Sequence, residues 1–287
     1  MKINHKNVFM GLKKHWEIAA LFIFSFLLFF LAIIYKDLFD KIMSVATFLT
    51  WHSLFEFISI FAAFSIFIVT YYTYEESKNI RMIIFASAFL FMGILDVFHT
   101  LSYKGMADFF VPNTSADRAT TFWVLSRLIG NIGLLIGVSF PKDKISKINK
   151  SLFIIPVLIL AISIFISATY YPGFIPPMFI EGYGLTNFKI FLELMVILIM
   201  IIILIKVIEE YKSTNLKKEY LFSMGILLSI FSELAFIGYA SVYDAYNYLG
   251  HFYKLIAFFI LFKSIYTENV KMPYHEIKSK ECVIKAV

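Results

Sequence analysis

The chain has 287 residues, of which 60% are hydrophobic, 19% aromatic and 16% charged, with a formal net charge of +6. An ordinary soluble domain carries about 25% charged residues, so this composition excludes a soluble globular enzyme and describes an integral membrane protein. The lone cysteine, Cys282, excludes an intrachain disulfide and a Cys-cluster zinc site. The basic excess belongs to loop lysines that orient a membrane protein, with no call for nucleic acid.

Eight hydrophobic stretches run approximately 17–35, 46–72, 80–101, 119–140, 151–169, 186–206, 219–241 and 247–266. Each has roughly the 20 residues that cross a bilayer. The fold class expected is an all-α, polytopic transmembrane bundle. The first span follows Lys13 and Lys14 as a signal sequence would. It is long and shows no clear small-residue cleavage site, so it reads as a retained anchor. The second carries Trp51, His52 and Glu56, and the third closes on "ILDVFHTLSYKGM" (94–106), with Asp96 and His99 one turn apart. The fourth carries Trp123, Arg127 and Asn131, then Gly133 and Gly137 in a G-x-x-x-G pattern, a sign of close helix packing or dimerisation. The stretch "YYPGFIPPMFIEGYGLT" (170–186) reads as an ordered external loop whose aromatics pack on the helix ends. Lys189 and Glu193 lie in the sixth span, Glu233 and Tyr239 in the seventh. Tyr243, Asp244 and Asn247 follow, then His251 and Lys254 enter the eighth.

Loop charge orients the bundle. Lys2, Lys6, Lys13 and Lys14 precede the first span, and Lys78 and Arg81 join the second to the third. Lys142, Lys144, Lys147 and Lys150 fill the fourth-to-fifth connection, and Lys206, Lys212, Lys217 and Lys218 the sixth-to-seventh. The tail adds Lys263, Lys271, Lys278, Lys280 and Lys285, against Lys36, Lys41, Lys104 and Arg118 on the other side. The positive-inside rule puts both termini in the cytoplasm. Residues 1–266 read as one membrane-integral domain, and 267–287 as a short cytoplasmic tail or connector, too short to fold alone.

At 1.5 Å per helical residue, the ionisable groups fall in one layer within roughly 17 Å of the outer surface. Six helices contribute. His52/Glu56, Asp96/His99, Arg127/Asn131, Lys189/Glu193 and His251/Lys254 are spaced i,i+3 or i,i+4, so each pair shares a helix face. Lipid offers charge no partner, so these faces turn inward. Glu56, Asp96, Glu193 and Glu233 nearly balance Arg127, Lys189 and Lys254. The candidate ligand-binding set is therefore His52, Glu56, Asp96, His99, Arg127, Lys189, Glu193, Glu233, Tyr243, Asp244, Asn247, His251 and Lys254.

Blander readings stand beside that one. Such groups also hydrogen-bond helices together, and Lys189/Glu193 can satisfy itself. Tyr243, Asp244 and Asn247 suit a turn, and Trp16, Trp51 and Trp123 suit interface anchors. His52, His99 and His251 are candidate ligands of a metal or haem, although no H-E-x-x-H motif occurs; His5, His15 and His275 lie in cytoplasmic segments. No nucleophile elbow, Walker loop or dinucleotide fingerprint is present, so no enzyme is expected. Transport is a further alternative, weakened by inner helix halves that are almost purely aliphatic and aromatic.

The stretches "WHSLFEF" (51–57), "ILDVFHTLSYKGM" (94–106), "TTFWVLSRL" (120–128), "EGYGLTNFK" (181–189) and "ILLSIFSELAFIGYASVYDAYNYLGHFYKLIAFFILF" (226–262) together carry a family resemblance. The chain resembles the third class of the MASE group of bacterial membrane-associated sensor domains. That resemblance implies a multi-pass sensory module of the inner membrane that takes an unidentified small ligand. Its usual partner is a C-terminal PAS, histidine kinase or diguanylate cyclase output in cis, or in trans for a stand-alone copy; a homodimer is also compatible. Leu128 and Gly130 depart from the family pattern beside Arg127.

Overall fold

The computed structural model describes the backbone of residues 5–286 and the side chains of residues 16–279. Lys2, Lys6, Lys13, Lys14, His5, His15, Lys280, Cys282 and Lys285 lie outside the described side chains.

Local sequence sets the helix boundaries. Ser44 opens one helix by accepting from Thr47 N at 3.2 Å, and Asn79 opens the next by accepting from Arg81 N at 2.9 Å. Thr186 and Asp244 cap two more through Lys189 N and Asn247 N. Each cap satisfies a backbone donor that the first helical turn leaves free. Lys78 and Asn215 end their helices in the left-handed conformation, at φ 52° and 53°. The resulting helices are α1 (His5–Ile42), α2 (Val45–Ser77), α3 (Ile80–Leu101), α4 (Asp117–Ser139), α5 (Ser151–Tyr170), α6 (Asn187–Thr214), α7 (Lys217–Gly238) and α8 (Ala245–Tyr266). A two-stranded hairpin, β1 (Phe179–Ile180) and β2 (Gly184–Leu185), precedes α6. Eight helices among the described residues are long and apolar enough to span a membrane, as the hydropathy predicts.

Packing closes six of them into a ring in the order α2–α3–α4–α6–α7–α8, with α8 returning to α2. These are the six that carry the polar layer. α5 packs outside α3 and α4, and α1 lies against α7 and α8. The G-x-x-x-G face of α4 is spent inside the chain: Gly133 meets Ala88 and Gly137 meets Phe85, so α3 approaches closely.

The layer lies between two apolar clusters. On the side of the 215–216 connection, Ile66, Phe89, Met200, Ile203, Ile226 and Leu261 fill the ring. On the other side, Phe48, Tyr103, Trp123, Met178, Phe236 and Val242 cover it. The 170–186 loop contributes unevenly. Asp117 Oδ1 accepts from Met178 N and Phe179 N at 2.6 and 2.9 Å, which seats both side chains. Tyr171, Phe174 and Tyr183 stay exposed, contrary to the expectation that the loop's aromatics pack down.

α8 does not stop where hydropathy falls. A π turn (Thr267–Lys271) leads into α9 (Met272–Ala286), so one helical path runs from Asp244 to Ala286. Pro273 has no N–H to close a turn, and the wider turn ahead of it accommodates that loss.

Candidate functional site

The inward faces of α2, α3, α4 and α8 bring alternating charges into one line. His251 Nδ1 donates to Glu56 Oε1 at 2.7 Å. Lys254 Nζ donates to both Glu56 oxygens at 2.6 and 2.8 Å and lies 2.9 Å from Asp96 Oδ2. Arg127 grips both oxygens of Asp96, and Ser126 Oγ donates to Asp96 Oδ1 at 3.0 Å. Glu56 and Asp96 are 0% exposed; Lys254 and Arg127 are 2% and 3%. Two carboxylates therefore meet two cations, and the line is formally neutral. Removed from water, each charge depends on its neighbours.

Trp123 lies against the line. Arg127 Cζ and Lys254 Nζ each stand 4.6 Å from its ring centroid, the geometry of a cation–π contact. Trp123 is 3% exposed, whereas Trp16 and Trp51 are 71% and 42% exposed. The interface-anchor reading therefore fails for Trp123, while the exposure of Trp16 and Trp51 is compatible with it. A tryptophan one turn before a buried arginine was the available signal.

Three imidazoles gather beside this line. His52 and His99 bring their Nε2 atoms to 3.4 Å, and His99 Nδ1 donates to Ala119 O at 2.8 Å. The His52 ring centroid lies 4.4 Å from that of His251 and 3.9 Å from that of Tyr103. His52, Glu56, His99 and His251 each offer a ligand atom within 4.8 Å of the others, and all four are buried. These are the described residues that could hold a metal ion. A narrow cavity of about 10 Å³, room for roughly one water, lies beside them, lined by His99, Tyr103, Trp123, Tyr239 and His251 and touching Lys104.

The remaining candidates divide. Lys189 pairs with Glu193 at 2.6 Å, donates to Phe236 O and lies 4.6 Å from the centre of the Tyr239 ring; the ion pair forms, yet neither Glu193 oxygen has a hydrogen-bond partner among the described residues, so the pair is not self-satisfied. Glu233 faces a second narrow cavity, of about 10 Å³, with Arg127, Asn131, Ser232 and Lys254. Asn131 donates to Arg127 O at 2.8 Å. Asp244 spends its oxygens on Ala240 N, Ser241 N and Asn247 N, so it is a helix cap. Burial lifts its carboxyl above the usual carboxylate range despite these donors. Asn247 Oδ1 accepts from Tyr103 Oη at 3.3 Å, and the half-buried Tyr243 donates to Lys104 O at 2.9 Å. Both brace the outer loops.

A second charged network, not anticipated from sequence, crosses the opposite end of the ring. Arg81 holds Glu210 with two bonds, 2.8 and 3.1 Å, and Lys142 reaches Glu210 at 3.4 Å and also pairs with Glu219. Lys218 joins Glu219, at 3.8 Å, to Glu268 in the π turn. Loop lysines read as orientation signals gave no indication of these carboxylate partners on α6, α7 and the π turn.

A family model described as MASE3, membrane-associated sensor domain, matches residues 43–273. That span begins just before α2 and ends just past the π turn, so it takes in the whole ring and its charges. No curated protein and no solved structure matches the chain.

Proposed function

The chain belongs to the MASE3 family of membrane-associated sensor domains, and from that premise we propose that the buried outer layer is the input site and α8 the relay. In this reading the protein is a non-catalytic sensory module of the bacterial inner membrane. A small ligand reaches the layer from the extracytoplasmic side, and the helix leaving it drives a PAS, histidine kinase or diguanylate cyclase output in cis or in trans.

The observation that carries the reading is the double role of α8. His251 and Lys254, one turn apart, both bond Glu56 of α2, and the same helical path continues to Ala286. A ligand that draws on Glu56 or His251 changes how α8 is held against α2. It shifts the population of two helix arrangements by its difference in affinity for them, and a decisive shift takes about 5 kcal/mol. The apolar cluster that closes the other half of the ring gives a solute no polar exit, which supports sensing over transport.

A diguanylate cyclase fused after Val287 supplies the readout. Asp96→Asn keeps shape while removing the charge that Lys254 and Arg127 share. It is expected to change cyclase output several-fold at matched membrane abundance. Output identical to the parent fusion at equal abundance would show that the layer does not feed α8.

A further inference from the structure

His52, His99 and His251 converge from α2, α3 and α8, and none is more than 4% exposed. As hydrogen-bond partners they serve one another poorly. The His52 and His99 Nε2 atoms stand 3.4 Å apart, beyond the ~2.7–3.2 Å of a well-formed bond from an N–H. Two nitrogens held ~2.0–2.1 Å from a tetrahedral ion stand about 3.3 Å apart. The spacing is that of two ligands of one ion.

The bonds around His99 and His251 agree, while His52 Nδ1 has no hydrogen-bond partner among the described residues. Ala119 O takes the Nδ1 proton of His99, and Glu56 takes that of His251, at 2.8 and 2.7 Å. Each bond leaves the lone pair on Nε2, the arrangement that prepares an imidazole to bind a metal. His251 Nε2 is buried and has no hydrogen-bond partner among the described residues. The Tyr103 ring, 3.9 Å away, orients His52. A macrocycle does not fit, because the three ring centroids lie 4.4, 5.4 and 5.9 Å apart and leave no slab between them.

We propose that His52, His99 and His251 ligate a first-row transition metal ion through Nε2, with Glu56 as the carboxylate behind His251, and that this ion is the input. Three imidazoles without a thiolate suit zinc or copper. The ion's charge draws Glu56 toward His251, and Lys254, one turn further along α8, loses part of its hold on the same carboxylate. The metal thereby acts on the helix that leaves the membrane. Its role as input rests on the sensory reading above; the existence of the site does not.

The test uses the full chain, purified in detergent, stripped with chelator and dialysed against ZnCl2 or, under reductant, against Cu(I). Elemental mass spectrometry should find about one equivalent of at least one of these ions. Affinity should fall roughly 10–100-fold in Glu56→Gln, the carboxylate behind the ligand, and at least as far in His99→Ala and His251→Ala. His275→Ala, an exposed histidine on α9, should bind as the parent does. If a cluster variant does not accumulate, the parent protein decides: less than roughly a tenth of an equivalent of both ions overturns the site, as does equal binding by a folded His99→Ala. The cyclase fusion separates the two readings. Stoichiometric binding with output unmoved by the metal overturns the ion as input. No binding, with Asp96→Asn still altering output, overturns the metal and leaves the sensory module standing.

Discussion

The two ends of the six-helix ring carry ion-pair networks built on different terms. The outer network joins side chains from helix interiors, and Glu56, Asp96, Arg127 and Lys254 are at most 3% exposed. The opposite network joins helix ends and connections, where the side chains of Lys142, Glu210 and Glu268 are 28%, 23% and 26% exposed, although Arg81 and Glu219 are 7% and 4%. Water can replace a lost partner at the exposed members of the second and cannot at the first. Ion pairs near the surface contribute about 0–1 kcal/mol each, while removing one partner of a buried pair costs about 3–5 kcal/mol. The surface network ties connections together cheaply. The buried one costs stability to maintain, which is the usual mark of a site kept for a task.

The strongest contrast is which end faces the cytoplasm. In a Cys282→Ser background, Lys104→Cys in intact cells should label readily with an impermeant thiol reagent, and Lys147→Cys and Lys217→Cys should not. Ready labelling at position 147 would invert or break the eight-span topology.

Next in size is the loss of Lys254, which leaves Glu56 and Asp96 sharing one remaining cation, Arg127. Lys254→Met should destabilise the protein by about 3–5 kcal/mol, read by thermal unfolding in detergent. Lys254→Met combined with Glu56→Gln should recover part of that loss, since the double variant removes the orphaned charge. Simple additivity of the two losses would mean that Lys254 and Glu56 do not depend on each other.

Glu268→Ala breaks the Lys218 pair at the half-exposed end. The expected loss is no more than about 1 kcal/mol and should shrink further in high salt. A loss matching that of Lys254→Met would erase the distinction between the two networks.

The smallest effect is expected at the outer surface. Lys104 beside Glu181 holds that carboxyl below its usual range, and Glu181 also accepts from Ala116 N at 3.0 Å. A depressed carboxylate stabilises fully above its unfolded pKa of about 4.3, and that stability is lost as pH falls through the folded value. Glu181→Gln should therefore lower Tm slightly at pH 7 and leave a smaller difference at pH 4. A difference that grows on acidification would show that the carboxylate is not what matters there.

The sequence by itself determined how many helices cross and which way their charged faces turn. A run of about 20 apolar residues spans the bilayer, and the cost of charge in lipid orients the face. His52/Glu56, Asp96/His99, Arg127/Asn131, Lys189/Glu193 and His251/Lys254 are all buried inward in the structure. Helix ends were less legible where hydropathy and helix propensity part: α2 runs to Ser77, past the apolar stretch that ends near residue 72. Only the tertiary structure decided which faces meet. Periodicity fixes a side chain's direction on its own helix and says nothing of the neighbour, so the ring order, the Glu56–Lys254–Asp96–Arg127 line and the three-histidine cluster appear only once six helices close. The same limit explains Trp123, which suits an interface by residue type and is buried because α4 turns that face toward Arg127, Lys254 and Phe236. It also explains the network at the other end, whose cations and carboxylates lie up to 129 residues apart in the chain and meet because antiparallel helices bring their ends together.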